Sequence, residues 1–226
     1  MDWSPLWISM KTAATATVIT FFLGIFAAWK VIKIRGKLVW FLDGLFNLPL
    51  VLPPTVAGFF LLVLFGKHGP AGELLSLFGI QVVFKWSATV IAAVVIAFPL
   101  MYRSAKAAFE QVDRNLIFAA RTLGMSEIRI FWRINIPLAL PGIMSGGILA
   151  FARALGEFGA TLMIAGNIPK VTQTIPVAIY MAVQGNRMDR AAVWVILIVI
   201  ISFTVVFLMN YLPDRKRKYG VRGEKE

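Results

Sequence analysis

The chain has 226 residues, a formal net charge of +12, 59% hydrophobic and 15% charged residues, and a mean hydropathy of +0.78. This is too apolar for a soluble domain of ordinary composition. The lack of cysteine excludes a disulfide framework and thiolate metal ligation, and a single histidine, His68, excludes a multi-histidine metal site.

Trp3 and Trp7 precede the first apolar run, where amphipathic rings suit a membrane interface. No small-residue cleavage site is evident, so the first apolar segment is expected to remain as an anchor. Five uncharged runs span residues 12–29, 44–66, 86–102, 134–152 and 191–213. Crossing the hydrocarbon core takes about 20 residues of helix, range about 17–25. Backbone groups in lipid must be satisfied within their own segment, so the runs are read as five transmembrane helices. Pro49, Pro53 and Pro54 interrupt the second run, in NLPLVLPPTVAG. Proline turns the preceding residue away from helix, which allows either a simple helix start or a broken helix lining a path. His68, in KHGPAG, reads as a solvated loop residue. Residues 175–183 (IPVAIYMAV) are apolar but few. At 1.5 Å per residue they cover only about 13 Å, so a short helix at the outer surface is expected.

Residues 118–137 (FAARTLGMSEIRIFWRINIP) lie between two of the runs. They read as two short helices joined at Gly124, where glycine alone adopts a left-handed conformation without strain. Ser126 is a candidate N-cap, and Glu127 then falls in the first turn, where a negative charge suits the helix dipole. Ile128, Phe131 and Trp132, at i, i+3 and i+4, are expected to form one apolar face, and Pro137 is expected to end the helix. A helix lying flat on the membrane and a docking element for a soluble partner both fit this pattern.

Arg153 and Glu157, in ARALGEFGAT, stand four apart on one helix face inside a membrane segment. Charges there are costly and face a bundle interior or a water-filled path. They either neutralise each other structurally or, in a path, Arg153 contacts an anion. Gly142, Ser145, Gly146, Gly147, Ala150, Gly156, Gly159 and Ala160 give the same segment a small-residue seam, suited to a crowded helix within one bundle or between two copies.

Charge sets the orientation. Lys30, Lys33, Arg35 and Lys37, then Arg103 to Arg133, then Arg215 to Lys225 hold most of the 23 basic residues. The alternate connections hold Lys11, Lys67, Lys85, Lys170, Arg187 and Arg190. The positive-inside rule places the richer set in the cytoplasm, with the N-terminus outside and the C-terminus inside. Nucleic-acid binding is then not needed to explain the basic charge. The chain reads as one membrane domain over 1–226, with a basic cytoplasmic tail over 214–226. HExxH, GxSxG, GxGxxG and Walker A patterns are absent. The chain is read as non-catalytic and without cofactor or metal, and any energy for transport comes from another subunit or an ion gradient.

Residues 118–137 resemble the cytoplasmic motif of permease subunits of binding-protein-dependent ABC importers. That motif is Glu-Ala-Ala, a glycine four residues after the last alanine, then Ile-x-Leu-Pro. Ala119, Ala120, Gly124, Ile134 and Pro137 match, while Phe118 replaces the glutamate and Ile136 the leucine. NLPLVLPPTVAGFFLL, ARTLG, LPGI, LAFARALGEFGAT and TIPVAIY make the chain similar to the molybdate-type permeases, whose relatives carry tungstate, sulfate or thiosulfate.

The resemblance implies an all-α, five-crossing permease in the cell inner membrane. Two copies would form the pore, on a dimer of ABC ATPase subunits, with an external oxyanion-binding protein delivering the anion. It implies an ATPase contact at Ala119, Ala120, Gly124, Ser126, Glu127, Ile128 and Arg129. A path or gate is expected along Arg153, Glu157, Thr55, Gly58, Gly159 and Thr161. An ion-driven secondary transporter would need more crossings and inverted repeats, and an intramembrane enzyme would need paired acids, a Ser–Lys pair or histidines in the crossings.

Overall fold

A computed structural model describes residues 2–220, with side chains described to residue 207. The tail expected over 214–226 lies outside the described side chains, and 221–226 lie outside the described backbone. The chain forms two compact units, residues 1–174 and 175–226.

In the first unit, α1 (Ser4–Val31), α5 (Trp86–Glu110) and α8 (Ile136–Leu155) pack against one another. Small residues make this possible, because in lipid helices associate through close backbone approach. A Cβ added at Gly146 would lie 2.5 Å from Ser104 Cβ, and one at Gly142 would lie 2.7 Å from Ala108 Cβ. The small-residue seam of α8 is thus filled within the chain. At the start of α5, Trp86 Nε1 donates to Thr12 Oγ1 at 3.0 Å, and Thr12 and Thr89 share a buried hydroxyl contact of 2.9 Å. These bonds fix the α1–α5 register where water is absent.

The run at 44–66 is not one helix. It divides into α2 (Lys37–Val51) and α3 (Pro54–Phe65), bent by 110° across Leu52 and Pro53. Leu52 is extended at ψ 140°, as a residue before proline prefers. The broken-helix reading of the proline cluster is the one the backbone adopts. A short α4 (Pro70–Ser76) follows, and His68 lies in the turn before it. α3, the first half of α5 and α9 (Gly159–Ala165) enclose a core containing Leu61, Ala92, Ile96 and Ile164. α2, by contrast, has no buried residue.

Past α5 come α6 (Arg114–Thr122) and α7 (Glu127–Ile130), then a π-helical turn, Phe131–Asn135, that leads without a break into α8. Pro137 therefore does not end the helix, contrary to the sequence expectation. It occupies the first turn of α8, and the preceding Ile136 N–H reaches back to the Phe131 carbonyl. The wider π turn makes room for a proline ring that would clash with the carbonyl four residues earlier in an α-helix. Residues Glu127–Leu155 form one continuous helical stretch of 29 residues.

In the second unit, α10 (Ile175–Gln184) has the length the short apolar stretch implies, and it packs on α11 (Met188–Gly220). Among the described residues, Ser4–Val31, Trp86–Glu110, Glu127–Leu155 and Met188–Phe207 are long and apolar enough to cross a membrane, and the bent α2–α3 pair makes five if it counts as one broken span.

Candidate functional site

The connection from α5 to α8 is a shaped knob. Asp113 opens α6 by accepting the Asn115 N–H at 2.8 Å. α6 closes in a Schellman turn: Gly124 has φ +75°, its N–H donates to Arg121 O at 2.9 Å, and Met125 N–H donates to Ala120 O at 3.1 Å. Ser126 Oγ accepts the Arg129 N–H at 3.4 Å and so caps α7, with Glu127 in its first turn. The Glu127 carboxylate accepts from Arg121 Nε at 2.7 Å and Nη2 at 3.2 Å, folding α7 back on α6. This hydrogen bonding holds the Arg121 guanidinium above its ordinary pKa. Lys33 Nζ stands 3.7 Å from the same carboxylate and 3.8 Å above the Trp29 ring.

Beneath the knob, Phe131 packs on Trp29 and Phe109 at centroid distances of 4.6 Å and 6.0 Å, and Ile130 is buried. Its outer surface exposes Leu123 by 82%, Ile128 by 67% and Trp132 by 63%. Ile128, Phe131 and Trp132 therefore do not form a single face. Phe131 turns inward beside the buried Ile130, while the other two face out. Among the residues expected at an ATPase contact, Ala119, Gly124, Ser126, Glu127, Ile128 and Arg129 are exposed. Ala120 is buried beneath them, where its carbonyl receives Met125.

The second group lies where α8 meets α9. Arg153 Nη1 donates to Glu157 Oε2 at 2.9 Å, and Glu157 Oε1 accepts the Ala160 N–H at 2.9 Å. The Glu157 side chain is only 2% exposed, against 30% for Arg153. Glu157 thus has two structural tasks, holding the arginine and capping α9. A guanidinium has five N–H donors, and the partly exposed Arg153 spends one of them on Glu157. Gly58 and Gly159 bring α3 and α9 into backbone contact. A Cβ on Gly58 would lie 2.7 Å from Ala160 Cα, and one on Gly159 would lie 3.2 Å from Thr55 N. Thr55, Gly58, Gly159 and the buried Thr161 thus belong to one packed junction beside the ion pair.

Two features have no counterpart in the sequence reading. A cavity of about 600 Å³ opens between α5, α6 and α8, lined by Ser104, Gln111, Asp113 and Ser145 among apolar residues. With a carboxylate and no lysine or arginine in its lining, it does not suit an oxyanion. The other is Asp43, which the sequence leaves at the border of an apolar run. It lies inside α2 and accepts hydrogen bonds from Lys106 Nζ at 2.5 Å and from the Tyr102 hydroxyl. The pattern of Tyr102 and Lys106, four apart on one face of α5, is the signal that could have revealed it.

These elements define a polytopic helical membrane protein that presents a partly apolar knob between two spans. Residues 20–218 match the family described as binding-protein-dependent transport system inner membrane component, and the chain belongs to that family. It is 48% identical over 210 residues to YvgM of Bacillus subtilis, covering 92% of each chain. It is 43% identical over 208 residues to ModB of Escherichia coli, a molybdenum transport system permease protein, covering 91% of each. Its fold matches that of a structure described as inward facing conformations of the MetNI methionine ABC transporter, with a TM-score of 0.71, 16% identity and 92% coverage of each chain.

Proposed function

We propose that the chain is the permease subunit of an ATP-driven importer for molybdate or a closely related tetrahedral oxyanion. The observation that carries this reading is the likeness to ModB over 91% of both chains. Two copies form the path, and an external binding protein delivers the anion. Each copy takes its motion from an ATPase subunit, so ATP is hydrolysed outside this polypeptide. The N-terminus lies outside and the knob lies in the cytoplasm, as the distribution of basic residues favours.

In this reading Ala119, Gly124, Ser126, Glu127, Ile128 and Arg129 form the ATPase contact, with Ala120 as the floor beneath it. Leu123, Ile128 and Trp132 supply the apolar area. The contact can transmit force because the knob is braced: Glu127 is clamped to Arg121, Phe131 is wedged against Trp29, and α7 runs through the π turn into α8. Motion of the knob is then motion of α8, whose far end carries Arg153, with Glu157 just past it. There the unspent donors of Arg153 offer hydrogen bonds to an oxyanion, while Glu157 keeps the guanidinium oriented. Thr55, Gly58, Gly159 and Thr161 border the path at that junction. Alternating access follows as rocking of bundles about a fixed site.

The test is uptake by vesicles containing the permease, its ATPase subunits and the binding protein. ATP-dependent accumulation of molybdate, competed by tungstate more strongly than by sulfate, is the expected result. Accumulation that ignores molybdate but follows sulfate would reassign the anion, and accumulation driven by an ion gradient without ATP would reject the class.

A further inference from the structure

The bent α2–α3 pair is held to the first unit very unevenly. α3 is locked at Gly58 and Gly159 by backbone contact with the α8–α9 junction. α2 has no buried residue, and two of its side chains meet α5. One is aromatic: Phe46 meets Phe98 and Tyr102 at 5.4 Å and 5.1 Å. The other is Asp43, bonded to both Tyr102 and Lys106. One helical turn beyond Asp43, the Asn47 side-chain oxygen is buried without a hydrogen-bond partner.

We infer that Asp43 is a positioning residue whose contact with Tyr102 and Lys106 makes α2 follow α5 during the transport cycle. The inference rests on the ATPase-coupled reading above. Lys106 lies one turn before the end of α5, which passes through the Asp113 cap straight into α6 of the knob. α2 bends straight into α3, which is locked to the junction carrying Arg153 and Glu157. The contact thus joins the docking end of the unit to the ion-pair end by a second route, separate from α8. Its chemistry makes it an on–off link. The Asp43 carboxylate is partly shielded, 28% exposed, and holds two bonds to α5, so sliding α5 past α2 would cost it both. Phe46 alone would permit sliding, because apolar contact has no direction.

The experiment uses the whole complex in vesicles and measures ATP hydrolysed and molybdate accumulated in the same sample. Asp43→Asn and Lys106→Gln are expected to co-purify with the ATPase as the wild type does. The ATP consumed per molybdate moved should rise by at least about tenfold, within the range of allosteric coupling. The charge swap, Asp43→Lys with Lys106→Asp, should bring that ratio back towards the wild-type value. An unchanged ratio in Asp43→Asn overturns the inference. So does a parallel fall of uptake and hydrolysis that the swap does not rescue, which marks a purely structural staple. A second readout needs no transported anion: spin labels at Gly44→Cys and Arg103→Cys, in the naturally cysteine-free chain. Their separation should stay constant between nucleotide-free and ATP-trapped complexes, and should change when Asp43→Asn is added. The same behaviour with and without that substitution overturns the link. A wild-type complex that moves no molybdate would count against the substrate alone, since the spin-label comparison would still decide the link.

Discussion

A single methyl group separates the two glycines of the bent pair. At Gly58 it would lie 2.7 Å from the Cα of Ala160, an atom that cannot move without moving α9. Gly58→Ala is expected to cost about 1–3 kcal/mol, as overpacking does. At Gly44 nothing lies within 4 Å, and the helix interior favours alanine over glycine by up to about 1 kcal/mol. Gly44→Ala should therefore hold or raise the unfolding midpoint in detergent, while Gly58→Ala lowers it. Equal midpoints would mean that α3 does not pack on α9 as closely as described. Glu157 gives the same lesson with charge. The sequence pairs it with Arg153, four residues earlier, but does not tell that its other oxygen caps α9. The cap on Ala160 depends on a backbone turn at 156–159 that no spacing rule encodes.

At the scale of the element, the knob was the most legible part of the chain. Gly124 takes the left-handed conformation its position requires, and Ser126 caps the next helix. No atom lies within 4 Å of a Cβ at Gly124, so a side chain there costs conformation rather than space. Gly124→Val should cost about 1–2 kcal/mol for the left-handed backbone. It should also reduce the ATPase subunit recovered with the permease from detergent extracts. Gly124→Asn, which tolerates that backbone, should retain it. Full recovery and normal coupling in the valine variant would remove the knob from the contact. What stayed hidden was the π turn. Pro137 reads as a helix end, yet the proline is accommodated by a wider turn that carries the helix on into α8. Local patterns do not report a change of helical pitch.

For the molecule as a whole, apolar length between charges found the crossings, because lipid leaves the backbone few choices. It could not show that Leu52 and Pro53 fold the second one back by 110°, nor that Asp43 would be drawn into α2 by Tyr102 and Lys106 on α5. Those depend on which helix lies next to which. The direction of the chain through the membrane rests on charge and can be measured. Arg35→Cys and Val171→Cys, both at exposed positions, should react with an impermeant maleimide from opposite sides of the membrane. Reaction of both from one side would reverse the placement of the knob.

The π turn also sets an angle. A straight α-helix advances by about 100° per residue, so deleting one residue from Phe131–Asn135 and restoring ordinary pitch would swing Glu127–Ile130 through about that angle around the axis of α8. Ile130 would leave its pocket, and the surface offered to a motor would point elsewhere. The bearing of the knob is thus encoded in a residue count, and a shift of one position in this stretch would change the direction of the thrust without altering the sequence of Glu127–Ile130.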